Sequence, residues 1–387
     1  MAATDTPAKP LSGRIPSLDG LRGLAILTVV IGHGAYALGW LASLGVTVKN
    51  ITITPITFLG NGHLGVTVFF VLSGFLIFNL SAREFQKTGE FSWKLFYLRR
   101  VLRIFPCFYF FIAVVLVLKC LGLLNLTPQM LLGAGTFSLN YLHLWYNIPG
   151  GNDYFVIGHY WTLCLEEQFY LTWPVLMLLF TRRKLVPVLL VIVVLAPLIR
   201  VACYHFMPGS RGQLGMMFHT AFDSIATGVL LGELLLRPNF KNWLVKIAAN
   251  RLILSVAMIF PVVISPLLES RFHGAYSMPI GNSMELICIS IVIIAAVSFP
   301  GTILYNFLNW RPLAYVGVLS YSLYVWNNFF LDKDGHWLIN RFPLNFLCAF
   351  GMALASHYFV EKPFLRLKDH LHKTEATRRA NAEQSYA

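Results

Sequence analysis

Residues 62–80 read GHLGVTVFFVLSGFLIFNL, nineteen positions without a single Asp, Glu, Lys or Arg. A bilayer core about 30 Å thick needs ~20 mostly apolar residues in helix to cross it, and this run meets that length. Runs of the same kind recur at roughly 20–41, 104–124, 159–180, 185–204, 214–236, 252–268, 283–300, 312–330 and 341–360. Together they predict ten transmembrane helices. The stretch 129–146 is shorter and contains Gly133, Gly135, Ser138, Asn140 and His143. It is expected to be re-entrant or interfacial.

The composition of the whole chain agrees. Of 387 residues, 57% are hydrophobic and 12% charged, with a mean hydropathy of +0.65, whereas a soluble domain has roughly 25% charged residues. Disorder, a coiled coil and a small disulfide scaffold are excluded with it. The six cysteines (Cys107, Cys120, Cys164, Cys203, Cys288 and Cys348) stand singly in apolar stretches. They have no metal-ligand spacing and read as small core residues, so no metal is expected. A net charge of +13 would suit nucleic acid, but the basic residues fall between apolar runs and form no face of a soluble module. With ten spans and the N-terminus inside, the inner segments hold 23 of the 30 Lys and Arg and the outer ones 7, as the positive-inside rule requires. Counting 129–146 as a span would place Arg182, Arg183 and Lys184 outside. Both termini are therefore expected in the cytoplasm. The first apolar run lacks an A-x-A cleavage site, so no removed signal peptide is expected. The fold class is an all-α polytopic membrane bundle. One domain covers 1–366 with its core at 14–366, followed by a polar cytoplasmic tail at 367–387.

Chemistry in such a protein must come from polar groups inside or beside the spans. Arg22 and His33 are eleven positions apart, which in a helix places them on one face, separated by ~16 Å along the axis. An ionisable residue at membrane depth is a functional candidate, and an imidazole can take a proton from a hydroxyl near neutrality. A snorkelling Arg and a hydrogen-bonded core His are the plainer alternative. Arg99, Arg100 and Arg103 can converge on one patch, where guanidinium forks would grip phosphate; topology signals or lipid headgroup contacts would look the same. Glu166 and Glu167 lie just inside a span, where a carboxylate is costly unless paired or protonated. They form either a site or a structural ion pair. Ser73 and Gly74 suit close helix packing, and Ser73 would act as a nucleophile only with a base beside it. His63, His143 and His159 fall near the outer side.

These segments together resemble the acyltransferase-3 family of integral membrane O-acyltransferases. The resemblance begins at Ile15-Pro16-Ser17-Leu18-Asp19-Gly20-Leu21-Arg22-Gly23 with His33, and continues through Gly65-Val66 and Phe69-Phe70-Val71-Leu72-Ser73-Gly74-Phe75-Leu76. Arg100-x-x-Arg103 with Pro106 follows, then Trp161-x-Leu163-x-x-Glu166-Glu167-Gln168-Phe169-Tyr170. Ser320-Tyr321-Ser322-Leu323-Tyr324 and Glu361-Lys362-Pro363-Phe364 complete it. Two departures stand out: Asn327 where many members have His, and Thr67 where an acidic residue is frequent.

The resemblance implies an acyl-CoA donor, in the first instance acetyl-CoA, bound from the cytoplasm with Arg100 and Arg103 near its phosphates; Arg99 is expected beside them on its spacing. It implies His33 as the catalytic histidine, Arg22 in the same site, and Glu166 as a further site residue. Asp19, Ser73, Trp161, Glu167 and Tyr321 would support them. The acceptor would be a hydroxyl of a cell-surface or exported polysaccharide, or of a macrolide or other small natural product. The setting would be a bacterial inner membrane. No nucleic acid partner is expected. The competing class is a proton-coupled carrier of an anionic or lipid-linked solute, for which buried Arg, His and Glu are equally natural.

Overall fold

The computed structural model describes residues 15–48, 51–179, 182–335 and 337–371. The segment before Ile15, and the polar tail from residue 372 on, lie outside the described residues. The protein is an all-α bundle. Its main helices are α1 (Pro16–His33), α2 (Gly62–Thr88), α3 (Trp93–Cys120), α4 (Pro128–Gly135), α5 (Trp161–Leu179), α6 (Arg182–Phe206), α7 (Phe218–Leu235), α8 (Arg251–Phe272), α9 (Asn282–Ser298), α10 (Arg311–Phe330) and α11 (Leu344–Ser356). Apart from them, a short ribbon pairs Val46 with Ile53.

Among the described residues, six helices are long and apolar enough to cross a membrane. Pro16–His33 with Ala35–Leu41, bent by 77°, makes a seventh if taken as one span. The other expected runs are helical too, but shorter or more polar: α5 contains Glu166 and Glu167, α10 contains Asn327 and Asn328, and α11 has 13 residues before a wider turn at His357–Glu361. Residues 129–146 form the eight-residue α4 and a 3-10 turn at Leu139–Leu144. At 1.5 Å per residue α4 is about 12 Å long, too short to cross.

Glycines set the closest helix approaches. A Cβ on Gly317 of α10 would lie 1.8 Å from the Asp19 carbonyl oxygen of α1. On α2 and α7 the arrangement is reciprocal, since a Cβ on Gly74 would meet the Ile225 oxygen and one on Gly228 the Val71 oxygen, each at 2.0 Å. Backbones in direct contact gain dispersion where lipid offers no hydrophobic drive. Gly74 therefore does the packing its sequence context suggested. A buried ion pair, Arg200 Nη1 to Asp223 Oδ2 at 2.9 Å, joins α6 to α7. Meanwhile Val191, Val194, Leu195 and Leu198 of α6 stay exposed, a face for lipid tails. The result is a central sheaf of α1, α2, α5, α7 and α10, and the polar residues gather inside it.

Candidate active site

A cavity of about 370 Å³ opens between α1, α2, α3, α5 and α10. It is lined by five cations, Arg22, Arg83, Arg100, Arg103 and Lys368, against two carboxylates, Asp19 and Glu166. The local spacing explains the convergence. Arg100 and Arg103 sit one turn apart on α3, Asp19 and Arg22 one turn apart on α1, and Ser73, Asn79 and Arg83 follow one flank of α2. Arg22 lies 3.8 Å from Asp19. The Arg100 guanidinium lies 4.7 Å from the centroid of the Tyr170 ring, a cation–π contact.

Glu166 is held from two sides. The Ser73 hydroxyl donates to Oε1 at 2.7 Å, and the Tyr170 hydroxyl donates to Oε2 at 3.0 Å. Two neutral donors fix the carboxylate beside Arg22 and Arg100. Ser73 is thereby committed to a carboxylate. Glu167, one residue on, points off the cavity, and its buried Oε1 has no hydrogen-bond partner.

Arg99 also turns away: its guanidinium pairs with Glu84 at 2.6 Å, outside the cavity lining. Of the expected arginine cluster, Arg100 and Arg103 are brought together and Arg99 is not. Tyr321 lines the cavity and donates to the Ile104 carbonyl at 2.6 Å. Trp161 packs edge-on against Phe70, 6.1 Å between centroids, outside the lining.

Lys368 was not a candidate from sequence, because it sat in a segment read as a polar tail. The helix after Glu361 folds it back onto the cavity mouth. Burial, then repulsion from Arg103, lowers its ammonium from the usual lysine value. Tyr170 could have been found from its i,i+4 spacing to Glu166; no sequence signal pointed to Lys368.

His33 lies outside this cavity, at the far end of α1. Its Nδ1 is 2.6 Å from Oδ1 of Asn327, whose Nδ2 donates to the Tyr324 carbonyl at 2.6 Å. Since the Asn327 amide nitrogen must face that carbonyl, Oδ1 faces the ring and the His33 proton sits on Nδ1. Nε2 keeps its lone pair. His159 and Phe155 flank the ring at 6.2 and 5.8 Å between centroids.

A hydrogen-bonded pair links the cavity lining to the segment that carries His159. Thr162 and Tyr324, 2.7 Å apart, both line the cavity, and the Tyr324 hydroxyl donates to the His159 carbonyl at 2.6 Å. The arrangement is a cation-rich cavity with the Thr162–Tyr324 pair in its lining and His33 outside it. Four guanidiniums and one ammonium outnumber the acids and could hold an anionic group such as phosphate, and Arg83 Nε is buried without a hydrogen-bond partner. No group of three or more His, Cys, Asp or Glu side chains able to hold a metal occurs among the described residues.

Residues 15–361 match the acyltransferase domain family. The chain is 27% identical over 371 residues to the O-acetyltransferase OatA of Staphylococcus aureus strain NCTC 8325 / PS 47, covering 90% of this chain and 57% of that protein. It is 27% identical over 327 residues to the peptidoglycan O-acetyltransferase OatA of Listeria monocytogenes serovar 1/2a, covering 81% and 49%. A putative O-acetyltransferase of S. aureus strain COL is 26% identical over 372 residues. The chain thus spans about half the length of these relatives. No solved structure matches.

Proposed function

Because the chain belongs to the acyltransferase-3 family, we propose that it moves an acetyl group from acetyl-CoA to a hydroxyl of a cell-surface glycan, peptidoglycan in the first instance. One observation supports this above others: a cavity rich in cations ends next to a histidine whose free nitrogen is set by its neighbour. A donor thioester with phosphates at one end and a reactive carbonyl at the other has that polarity.

In this reading Arg100 and Arg103 hold the phosphates bidentately, with Arg83 and Lys368 beside them. Arg22, steadied by Asp19 and Glu166, lies farther in. His33 Nε2 takes the acceptor proton as the acceptor oxygen attacks the thioester carbonyl. The C–O bond forms, the C–S bond breaks, and the imidazolium returns the proton to the leaving sulfur. Asn327 supplies no proton. It holds the base in the reactive tautomer, which gives the substitution for the family's frequent His a role outside acid–base chemistry. The chain crosses a bacterial inner membrane ten times with both termini inside, so that the cavity mouth meets the cytoplasmic donor.

The test is CoA release from acetyl-CoA by purified wild type and His33→Ala, with and without soluble muropeptides. Acceptor-dependent release by the wild type alone is expected. Full activity of His33→Ala would remove the base assignment. Flux of an anionic solute in proteoliposomes without CoA release would replace the enzyme by a carrier.

A further inference from the structure

His159 is 6% exposed, and neither of its ring nitrogens makes a hydrogen bond. A buried imidazole carries at least one N–H, and leaving it unsatisfied costs the desolvation of that group without return. Such groups are rare enough in folded proteins to require an explanation. The backbone carbonyls of Tyr324 and Val325 lie near the ring without hydrogen-bond geometry to it. What holds the ring instead is packing: Tyr160 at 4.2 Å and Tyr324 at 5.0 Å between centroids. The His159 backbone is pinned as well, by the Tyr324 hydroxyl.

Position explains what packing does not. His159 lies one turn before Thr162, which lines the cavity, and its ring meets that of His33 edge-on, 6.2 Å between centroids. It therefore neighbours both the cavity-lining Tyr324, which bonds its carbonyl, and the His33 ring. We propose that His159 is a second catalytic histidine, whose ring N–H binds the carbonyl oxygen of the donor's acyl group and stabilises the oxyanion formed when the acceptor attacks. This rests on the acyltransferase reading above. The division of labour is chemical. His33 is set by Asn327 to offer a lone pair and cannot donate from Nε2, whereas the His159 ring makes no hydrogen bond of its own. One ring accepts the acceptor's proton and the other receives the charge that develops on the acyl oxygen. Satisfying the buried N–H only when substrate is present favours binding at that point.

The experiment uses the full chain in detergent with acetyl-CoA labelled with carbon-13 at the carbonyl. A hydrogen bond to the thioester oxygen lowers the carbonyl stretching frequency, which isotope-edited infrared spectroscopy reads without any acceptor. The wild type is expected to lower the stretch relative to free acetyl-CoA. His159→Phe keeps the ring packing and should lose that shift with unchanged affinity for CoA itself. In the coupled assay with muropeptides it should lose about 10²–10³-fold in kcat, the usual cost of one oxyanion donor. An equal shift in wild type and His159→Phe overturns the proposal and leaves the acyltransferase reading intact. If the wild type binds neither acetyl-CoA nor CoA, that reading fails and the proposal falls with it. Should His159→Phe not fold, His159→Gln is read instead: it retains an N–H donor and must retain part of the shift, and its complete absence with CoA still bound counts against the assignment.

Discussion

His33 and Asn327 stand 294 positions apart in the chain and meet at 2.6 Å. Each partner's orientation follows from the other contact that Asn327 makes, to the Tyr324 carbonyl one turn earlier on the same helix. The tautomer of the proposed base is therefore decided by α10, a helix that supplies no proton-transferring group of its own there.

Asn327→Leu keeps the side-chain volume near that of Asn and removes the acceptor. A net hydrogen bond of about 1–1.5 kcal/mol corresponds to roughly tenfold in rate. A fall of that size in kcat for CoA release is expected, with donor KM within twofold of the wild type. An unchanged kcat would show that the contact does not set the tautomer.

The arginines separate by role. Arg100→Ala and Arg103→Ala each remove a charge from the cavity and are expected to raise the donor KM about tenfold, the worth of one charge-assisted hydrogen bond. Arg99→Ala leaves Glu84 without its 2.6 Å partner and should lower the midpoint of thermal unfolding with little change in KM. Steady-state kinetics beside a melt of the same preparations checks both halves. A tenfold rise in KM for Arg99→Ala would return it to the donor site.

Lys368 is expected to make binding of the proposed donor sensitive to alkaline pH. Burial and Arg103 lower its ammonium in the free protein, while a bound phosphate favours the charged form. Above the lowered free-state value, binding must therefore take up a proton, and the dissociation constant for CoA is expected to rise with pH sooner than an ordinary lysine would allow. Lys368→Met should bind more weakly below that range and lose this part of the slope. Titrations of CoA across alkaline pH, for both proteins, decide it.

Gly317→Ala should act on the site at a distance. Its Cβ would lie 1.8 Å from the Asp19 carbonyl oxygen, so α1 and α10 must move apart. Overpacking of this kind costs typically 1–3 kcal/mol. Since α10 also presents Asn327 and Tyr324, lowered thermal stability and lost CoA release are expected together. A normal melt with normal activity would mean that the helix contact is looser than this geometry.

The chain's own pattern already contained the membrane class, the helical architecture and most of the polar groups at the site. Apolar length and scarcity of charge are local properties, and Arg22, His33, Arg100, Arg103 and Glu166 are conspicuous because such residues are costly inside a span. The same pattern placed Arg22 and His33 on one face of one helix. It could not show that Arg22 lines the cavity while His33 lies outside it, because the lining is assembled from helices distant in the chain, Thr162 of α5 and Tyr324 of α10 among them. Nor could it tell Arg99 from its neighbours. Three guanidiniums within five positions look alike until Glu84 takes one of them.

The sequence by itself determined the solvent this protein is built for and which rare polar residues it keeps there, since both follow from composition and periodicity along one strand of text. Only the tertiary structure decided what those residues face. It folded Lys368 of the tail back to the cavity mouth, paired Asn327 with His33, and left the His159 ring without a partner. The reason is physical: hydrogen bonds and oxyanion contacts are decided within a fraction of an ångström between helices distant in the chain, and that distance is set by glycine contacts and packing that no local pattern encodes.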